Sequence, residues 1–195
     1  MRALVVYCHP NEDSLSAQLR DAAVRGLKAA QHEVTIVDLA QDNFNPVMPL
    51  EEWTSYLETS AEPAEDVKKY MELVEGADIL VFVYPSWWSG VPAQLKGWLE
   101  RVFIAGLAFE MGKKGLRRGY LKRIRRIHVI TTFGSPRWYV RFVNDNGRRL
   151  FSRAVRLCMS PKTRYKQHSL YAMDKQTQEQ KQNFVVHVEQ AMQKI

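Results

Sequence analysis

Two cysteines in 195 residues leave little room for sulfur chemistry. Cys8 and Cys158 lie far apart and belong to no Cys-x-x-Cys pair or Cys/His cluster, which excludes a disulfide framework and a cysteine-based zinc site. Both read as buried or half-buried thiols. Long apolar runs are lacking as well. The longest, such as residues 79–84, are strand-length, far short of the ~20 residues needed to span a bilayer. The opening Met1-Arg2-Ala3-Leu4-Val5-Val6-Tyr7-Cys8-His9-Pro10 has only a superficial likeness to a secretion signal. It has no small-residue cleavage site and runs straight into a turn, so it reads as a first strand, and a cytoplasmic location is expected. There is no P-loop, no Gly-x-Gly-x-x-Gly, no Ser/His/Asp arrangement, no paired-carboxylate site and no metal-ligand spacing, so no metal is expected.

What is present is an ordinary globular composition, 46% apolar and 25% charged, with a net charge of +7. The positive charge is concentrated: Lys113, Lys114, Arg117, Arg118, Lys122, Arg123, Arg125 and Arg126 fall in one short stretch. That stretch reads as a solvated surface ahead of the next strand, with attraction of an anionic dinucleotide as a second reading. Only Tyr120 interleaves it and no nucleic-acid fold motif accompanies it, so no nucleic-acid partner is expected.

Hydrophobic periodicity divides the chain into alternating strands and helices. Strands are expected at 2–8, 33–39, 78–84, 127–132 and 165–172. Helices are expected at 14–30, 51–58, 64–75, 92–103, much of 137–157, and 177–194. Residues 104–119 read as a long loop, and Ser14 as the cap of the first helix. This alternation argues for one α/β domain over residues 1–195, a parallel sheet with helices on both faces. Periodicity alone does not rank the strand order.

The most informative stretch runs from Val81 to Phe103. An apolar strand stops at Pro85, which cannot donate to a sheet ladder. Ser86-Trp87-Trp88-Ser89 follows, then Gly90-Val91-Pro92-Ala93-Gln94-Leu95-Lys96-Gly97-Trp98-Leu99-Glu100-Arg101-Val102-Phe103. Two adjacent tryptophans in a loop at the end of a buried strand suit a flat ligand that stacks on them; packing under a loop or at a subunit contact is the plainer use. This combination resembles the NAD(P)H:quinone oxidoreductases of the flavodoxin-like fold, the group that includes the modulator of drug activity B. The resemblance implies a three-layer sandwich with a five-stranded parallel sheet in the order 2-1-3-4-5, and a ligand at the carboxyl ends of the strands. It also implies a flavin, FAD ahead of FMN, with NAD(P)H as co-substrate.

Three loops then become candidate flavin contacts. After strand one, the resemblance assigns the phosphate portion to His9, Ser14, Leu15, Ser16 and Gln18. A helix N-terminus independently favours an anion there, while an imidazole bond within the turn and a plain Ser14 cap are the simpler roles. After strand three, Pro85, Ser86, Trp87, Trp88 and Ser89 offer aromatic faces and amides to the isoalloxazine edge. After strand four come Thr131, Thr132, Phe133 and Gly134, where the resembling family has Thr-Thr-Gly-Gly. Phe133 therefore departs from the pattern.

Tyr139 sits where the family has a tyrosine that helps stabilise reduced flavin; Asp145 stands where some members carry a partner histidine. Phe109 and Met111 fall in the segment that covers the substrate ring in the family. The activity implied is hydride transfer from NAD(P)H to flavin N5 and on to a quinone or similar flat acceptor. A homodimer is implied as well. Two other readings remain: a regulatory partner of a membrane potassium-efflux system, and a flavodoxin-type electron carrier.

Overall fold

The computed structural model describes residues 1–58, 62–112, 115–118 and 120–195, with the side chains of 111–112 and 115–118 excepted. The chain alternates as β1 (Arg2–Tyr7), α1 (Leu15–Ala29), β2 (Glu33–Asp38), α2 (Leu50–Thr54), α3 (Glu65–Gly76), β3 (Ile79–Pro85) and α4 (Ala93–Val102). It continues with β4 (Phe109–Gly112), β5 (Gly115–Arg118), β6 (Arg126–Thr132), α5 (Arg137–Phe142), α6 (Asn146–Arg149), a π-helical turn (Leu150–Val155), β7 (Arg164–Leu170) and α7 (Gln178–Gln193).

Five strands pair in parallel in the order β2-β1-β3-β6-β7. Numbered along the chain, the strands of this sheet run 2-1-3-4-5, as the resemblance implies. β3 is buried throughout because both its faces are covered, so its sequence is continuously apolar rather than alternating. Leu80, Phe82 and Tyr84 face the side of Trp98 and Phe151, while Ile79, Val81 and Val83 face Leu19, Leu27 and Val188. On the second side α1 and α7 approach closely at Gly26, where a Cβ would come within 2.3 Å of the Glu189 carbonyl oxygen. Thr177 and Gln180 form a reciprocal cap that starts α7.

The expected long loop at 104–119 is corrected by the structure. β4 and β5 form an antiparallel hairpin, pairing Phe109 with Arg118 and Glu110 with Arg117. Lys113 and Lys114 of the basic stretch lie outside the described residues; further along it, Arg123 pairs with Asp78 at 3.2 Å. The helix expected at 51–58 is shorter, ending at Thr54. Just beyond α2, α4 carries the buried Arg101. Its guanidinium donates to both oxygens of Glu52, to Asp66 at 2.9 Å and to the Asn45 carbonyl at 2.7 Å. One cation thus ties the loop after β2, α2 and α3 to the sheet layer. Among the described residues, no helix is long and apolar enough to cross a membrane.

Candidate flavin site

The sheet order reverses direction at β1: β2 lies on one side and β3 on the other. In parallel sheets the region outside the carboxyl ends of the strands beside such a reversal is the usual ligand site. The first two candidate loops leave β1 and β3 on either side of this reversal, and the third, after β6, is the neighbour of the second.

In the first loop, Ser14 is the N-cap of α1 and accepts from the Ala17 amide at 3.1 Å. Among the described residues, the N–H groups of Leu15 and Ser16 have no protein acceptor, so the first turn of a 15-residue helix offers two free donors. Glu12 does not oppose an anion there, because Arg20 holds both its oxygens, at 3.0 and 2.8 Å. His9 is partly committed within the turn: Nδ1 accepts from the Asn11 amide at 3.0 Å. Gln18 is exposed and Ser16 buried. Below them, burial pushes the Cys8 thiol up to about 11, so it stays protonated.

The second loop holds an unusual backbone. Trp87 and Gly90 exchange two main-chain bonds, at 3.2 and 3.0 Å, and close a two-residue turn. Trp88 and Ser89 form its tip with φ of 49° and 58°, both left-handed. That geometry is a type I′ hairpin turn, ordinarily filled by Asn-Gly, and a bulky tryptophan there is strained. Strain of this kind, about 1–3 kcal/mol for a residue, persists where the surroundings over-determine it, and it clusters at functional sites. The Trp88 side chain is fully exposed and Trp87 half-exposed, its ring 6.0 Å from that of His9. Loops one and two thus meet. Among the described residues the amides of Trp88 and Ser89 have no protein acceptor.

The third loop is tied to the second by the Ser86 amide, which donates to the Thr132 carbonyl at 2.8 Å. Thr131 and Thr132 are buried, so the loop offers main chain rather than hydroxyls at its mouth. Among the described residues, Thr131 Oγ1 is buried with no partner. Phe133 stacks on Tyr171 with centroids 5.0 Å apart and planes 9° apart, so its bulk goes into packing on the β7 side. Gly134 is exposed, and its amide too lacks a protein acceptor among the described residues.

Tyr139 lies partly exposed on α5, edge-on to Trp138 at 5.9 Å. Asp145 caps α6: its carboxylate accepts from the Arg148 amide at 3.2 Å and from the Gln167 side chain at 3.4 Å. Phe109 packs on Tyr56, with centroids 6.1 Å apart, and touches none of the three loops through its described ring contacts. The Met111 backbone pairs with Leu116, but its side chain lies outside the described residues. Among the described residues, no group of three or more His, Cys, Asp or Glu could hold a metal.

Two features here escape sequence reading. The left-handed turn has no glycine at its tip to announce it. Gly147 sits where a Cβ would meet the buried Tyr84 hydroxyl at 2.8 Å, which explains the Asn-Gly at 146–147 as a close approach. Burial holds that hydroxyl well above the usual tyrosine range.

The parallel sheet in the order β2-β1-β3-β6-β7 with helices on both faces defines a flavodoxin-like α/β protein. The family model described as a flavodoxin-like fold matches residues 1–158. NAD(P)H dehydrogenase (quinone) 1 of Rattus norvegicus is 34% identical over 155 residues, 71% of this chain and 56% of that protein. Among solved structures, Smu.1420 from Streptococcus mutans UA159 has 33% identity and a TM-score of 0.87, covering 100% of both chains. An FMN-dependent NADH-azoreductase from Bacillus anthracis str. Ames Ancestor, solved in complex with FMN, shares the fold at a TM-score of 0.78 and 19% identity over 99% of this chain and 98% of its own. The chain belongs to the flavodoxin-like NAD(P)H:quinone oxidoreductase family. The match spans 56% of the rat protein's length and between 55% and 70% of that of other curated relatives.

Proposed function

We propose that the chain is a flavin-dependent NAD(P)H:quinone oxidoreductase. One observation carries the reading: three loops at the carboxyl ends of β1, β3 and β6 are joined side by side, with amides at Leu15, Ser16, Trp88, Ser89 and Gly134 that have no protein acceptor among the described residues, and an exposed indole between them. That donor set fits a flavin, which has an anionic phosphate tail and a flat ring edged with acceptors. When bound, a flavin supplies the hydride relay, taking two electrons and a proton's worth of hydrogen from NAD(P)H and passing them to a quinone, which becomes a hydroquinone with one further proton.

The chain's own residues bind and orient. The α1 N-terminus, with Ser14 as cap, holds the phosphate, and Arg20 keeps Glu12 from repelling it. Trp87 and Trp88 offer stacking surface. The amides of Trp88 and Ser89, without protein acceptors among the described residues, would be the donors available to the ring edge of a bound flavin, where they would favour its reduced, negatively charged form. Tyr139 carries a hydroxyl able to donate a proton or hydrogen bond to that charge. Asp145 does not take the place of a histidine relay, because its carboxylate is engaged in capping α6.

FAD remains the form implied by the resemblance; the azoreductase of similar fold was solved with FMN. An absorption spectrum of the purified protein, with the mass of whatever is released on denaturation, tests both points. Flavin bands support the reading, and the released mass assigns FAD or FMN. A colourless protein that binds neither flavin on titration overturns it.

A homodimer belongs to the same reading. Trp138 and Phe142, four residues apart on α5, are both exposed, and so is Trp88. Apolar groups of this size suit a second copy, and light scattering giving a strict monomer removes that part. Copurification with a membrane transporter would instead favour the regulatory role.

A further inference from the structure

Five arginines, Arg137, Arg141, Arg148, Arg149 and Arg153, line one open cleft of about 530 Å³ between α5, α6 and the π-helical turn. All five are exposed. Arg137 and Arg141 stand four residues apart, as do Arg149 and Arg153, which places like charges on shared helical faces. Among the described residues, none of the five guanidinium groups forms an ion pair or a side-chain hydrogen bond. Asp145, the acid that lines the cleft among the described residues, is already engaged by the Arg148 amide and the Gln167 side chain. Four other arginines do have carboxylate partners: Arg20 with Glu12, Asp21 and Asp38, Arg25 with Glu189, Arg101 with Glu52 and Asp66, and Arg123 with Asp78.

A ring of unpaired cations repels itself, and an anion that enters it relieves the repulsion. Guanidinium groups present planar pairs of donors that match phosphate oxygens. The position of the cleft narrows the choice of anion. Arg137 lies two residues from Tyr139 and three from Gly134. Tyr171, which also lines the cleft, is the residue stacked on Phe133. The cleft therefore begins where the third candidate flavin loop ends.

We infer that this arginine cleft receives the 2′-phosphate of NADPH and so selects NADPH over NADH. The inference rests on the oxidoreductase reading for the location of the nicotinamide end. A phosphate monoester at the far end of the dinucleotide is the one group that separates the two co-substrates. It is dianionic near neutral pH, and the cleft is open enough to recognise it by charge.

The test combines binding and kinetics on the flavin-loaded protein and on the double variant Arg141→Gln, Arg149→Gln. Both side chains are exposed, so the variant is expected to fold; its unfolding midpoint is checked first. Calorimetric titration compares adenosine 2′,5′-bisphosphate with adenosine 5′-monophosphate, which lacks only the 2′-phosphate. The wild type is expected to bind the bisphosphate roughly tenfold tighter or more, since hydrogen bonds to charged groups are the strong ones. The double variant is expected to lose that preference. In steady state, its kcat/KM for NADPH falls by roughly tenfold, while that for NADH stays within about twofold. Equal affinity for the two nucleotides, or a preference that survives in the variant, overturns the site. If neither dinucleotide reduces a bound flavin but the titration still shows an arginine-dependent preference, the cleft stands and the oxidoreductase reading falls. Active enzyme with no bisphosphate preference means the reverse.

Discussion

His128 and His168 stack in the protein interior, ring planes 13° apart, with Nδ1 of the first 3.3 Å from Nε2 of the second. His168 passes the contact on to His187 of α7, again at 3.3 Å. Burial pushes the His128 imidazole down to about 3 and the His168 imidazole down to about 4, with neighbouring positive groups adding to the effect. Both are neutral in the folded protein near neutral pH. In the unfolded chain each titrates near 6.5. As pH falls below about 6.5, the unfolded state takes up protons at both positions that the folded state refuses, so stability falls with pH. Each histidine steepens that fall by up to about 1.4 kcal/mol per pH unit. Urea unfolding at pH 7, 6 and 5 is expected to show a declining free energy, with a shallower decline in His168→Gln. Equal stabilities at pH 7 and 5 would sink the assignment.

The tryptophan turn gives a prediction about strain. Ser89 occupies a left-handed position at φ 58°. Glycine adopts that region freely, so Ser89→Gly is expected to stabilise the protein by about 1 kcal/mol. The thermal midpoint then rises by roughly 2–4 °C for a chain of this size. A lowered midpoint contradicts the turn geometry.

Trp87→Ala is expected to weaken flavin binding by about 1–3 kcal/mol, by analogy with nucleobases stacking on aromatic side chains. Fluorescence titration of the flavin-free protein measures it. An unchanged dissociation constant rejects the stacking role.

For Tyr139→Phe the expectation is a slower reduction of flavin by NAD(P)H at near-normal flavin content, read by stopped flow. General-acid contributions are typically in the range of about 100-fold or more, so even a partial role is visible. An unaltered rate removes Tyr139 from the catalytic set.

Arg101→Ala removes the cation that ties α2 and α3 to α4. With Arg101 only 3% exposed and two carboxylates facing it, the loss is expected to be about 3 kcal/mol. Differential scanning calorimetry checks it, and a shift of under about 2 °C would mean that the network is not structural.

The sheet was legible because β1, β3 and β6 are covered on both faces, so their burial writes itself as runs of Leu, Val, Ile and Phe. The three loops could be placed because each follows such a run. The β4–β5 hairpin was not legible: Phe109-Glu110-Met111-Gly112 is short, and the basic stretch that follows looks like loop. Arg101 was invisible for another reason. On an amphipathic helix an arginine reads as the solvent face, and its acceptors Asn45, Glu52 and Asp66 are distant in sequence. Likewise no local pattern joins residues 128, 168 and 187. At 137–157 periodicity marks helix in outline, but the left-handed Asp145 and the π-helical turn leave no periodic signature of their own.

The two main-chain bonds between Trp87 and Gly90 carry one more consequence. They fix Trp88 and Ser89 before any ligand arrives, so the donors at the tip need not be ordered on binding. Little conformational entropy is then lost at this loop when a flat molecule docks. The backbone here should superimpose between the empty and loaded protein, and tighter ligands should differ from weaker ones chiefly in how slowly they leave.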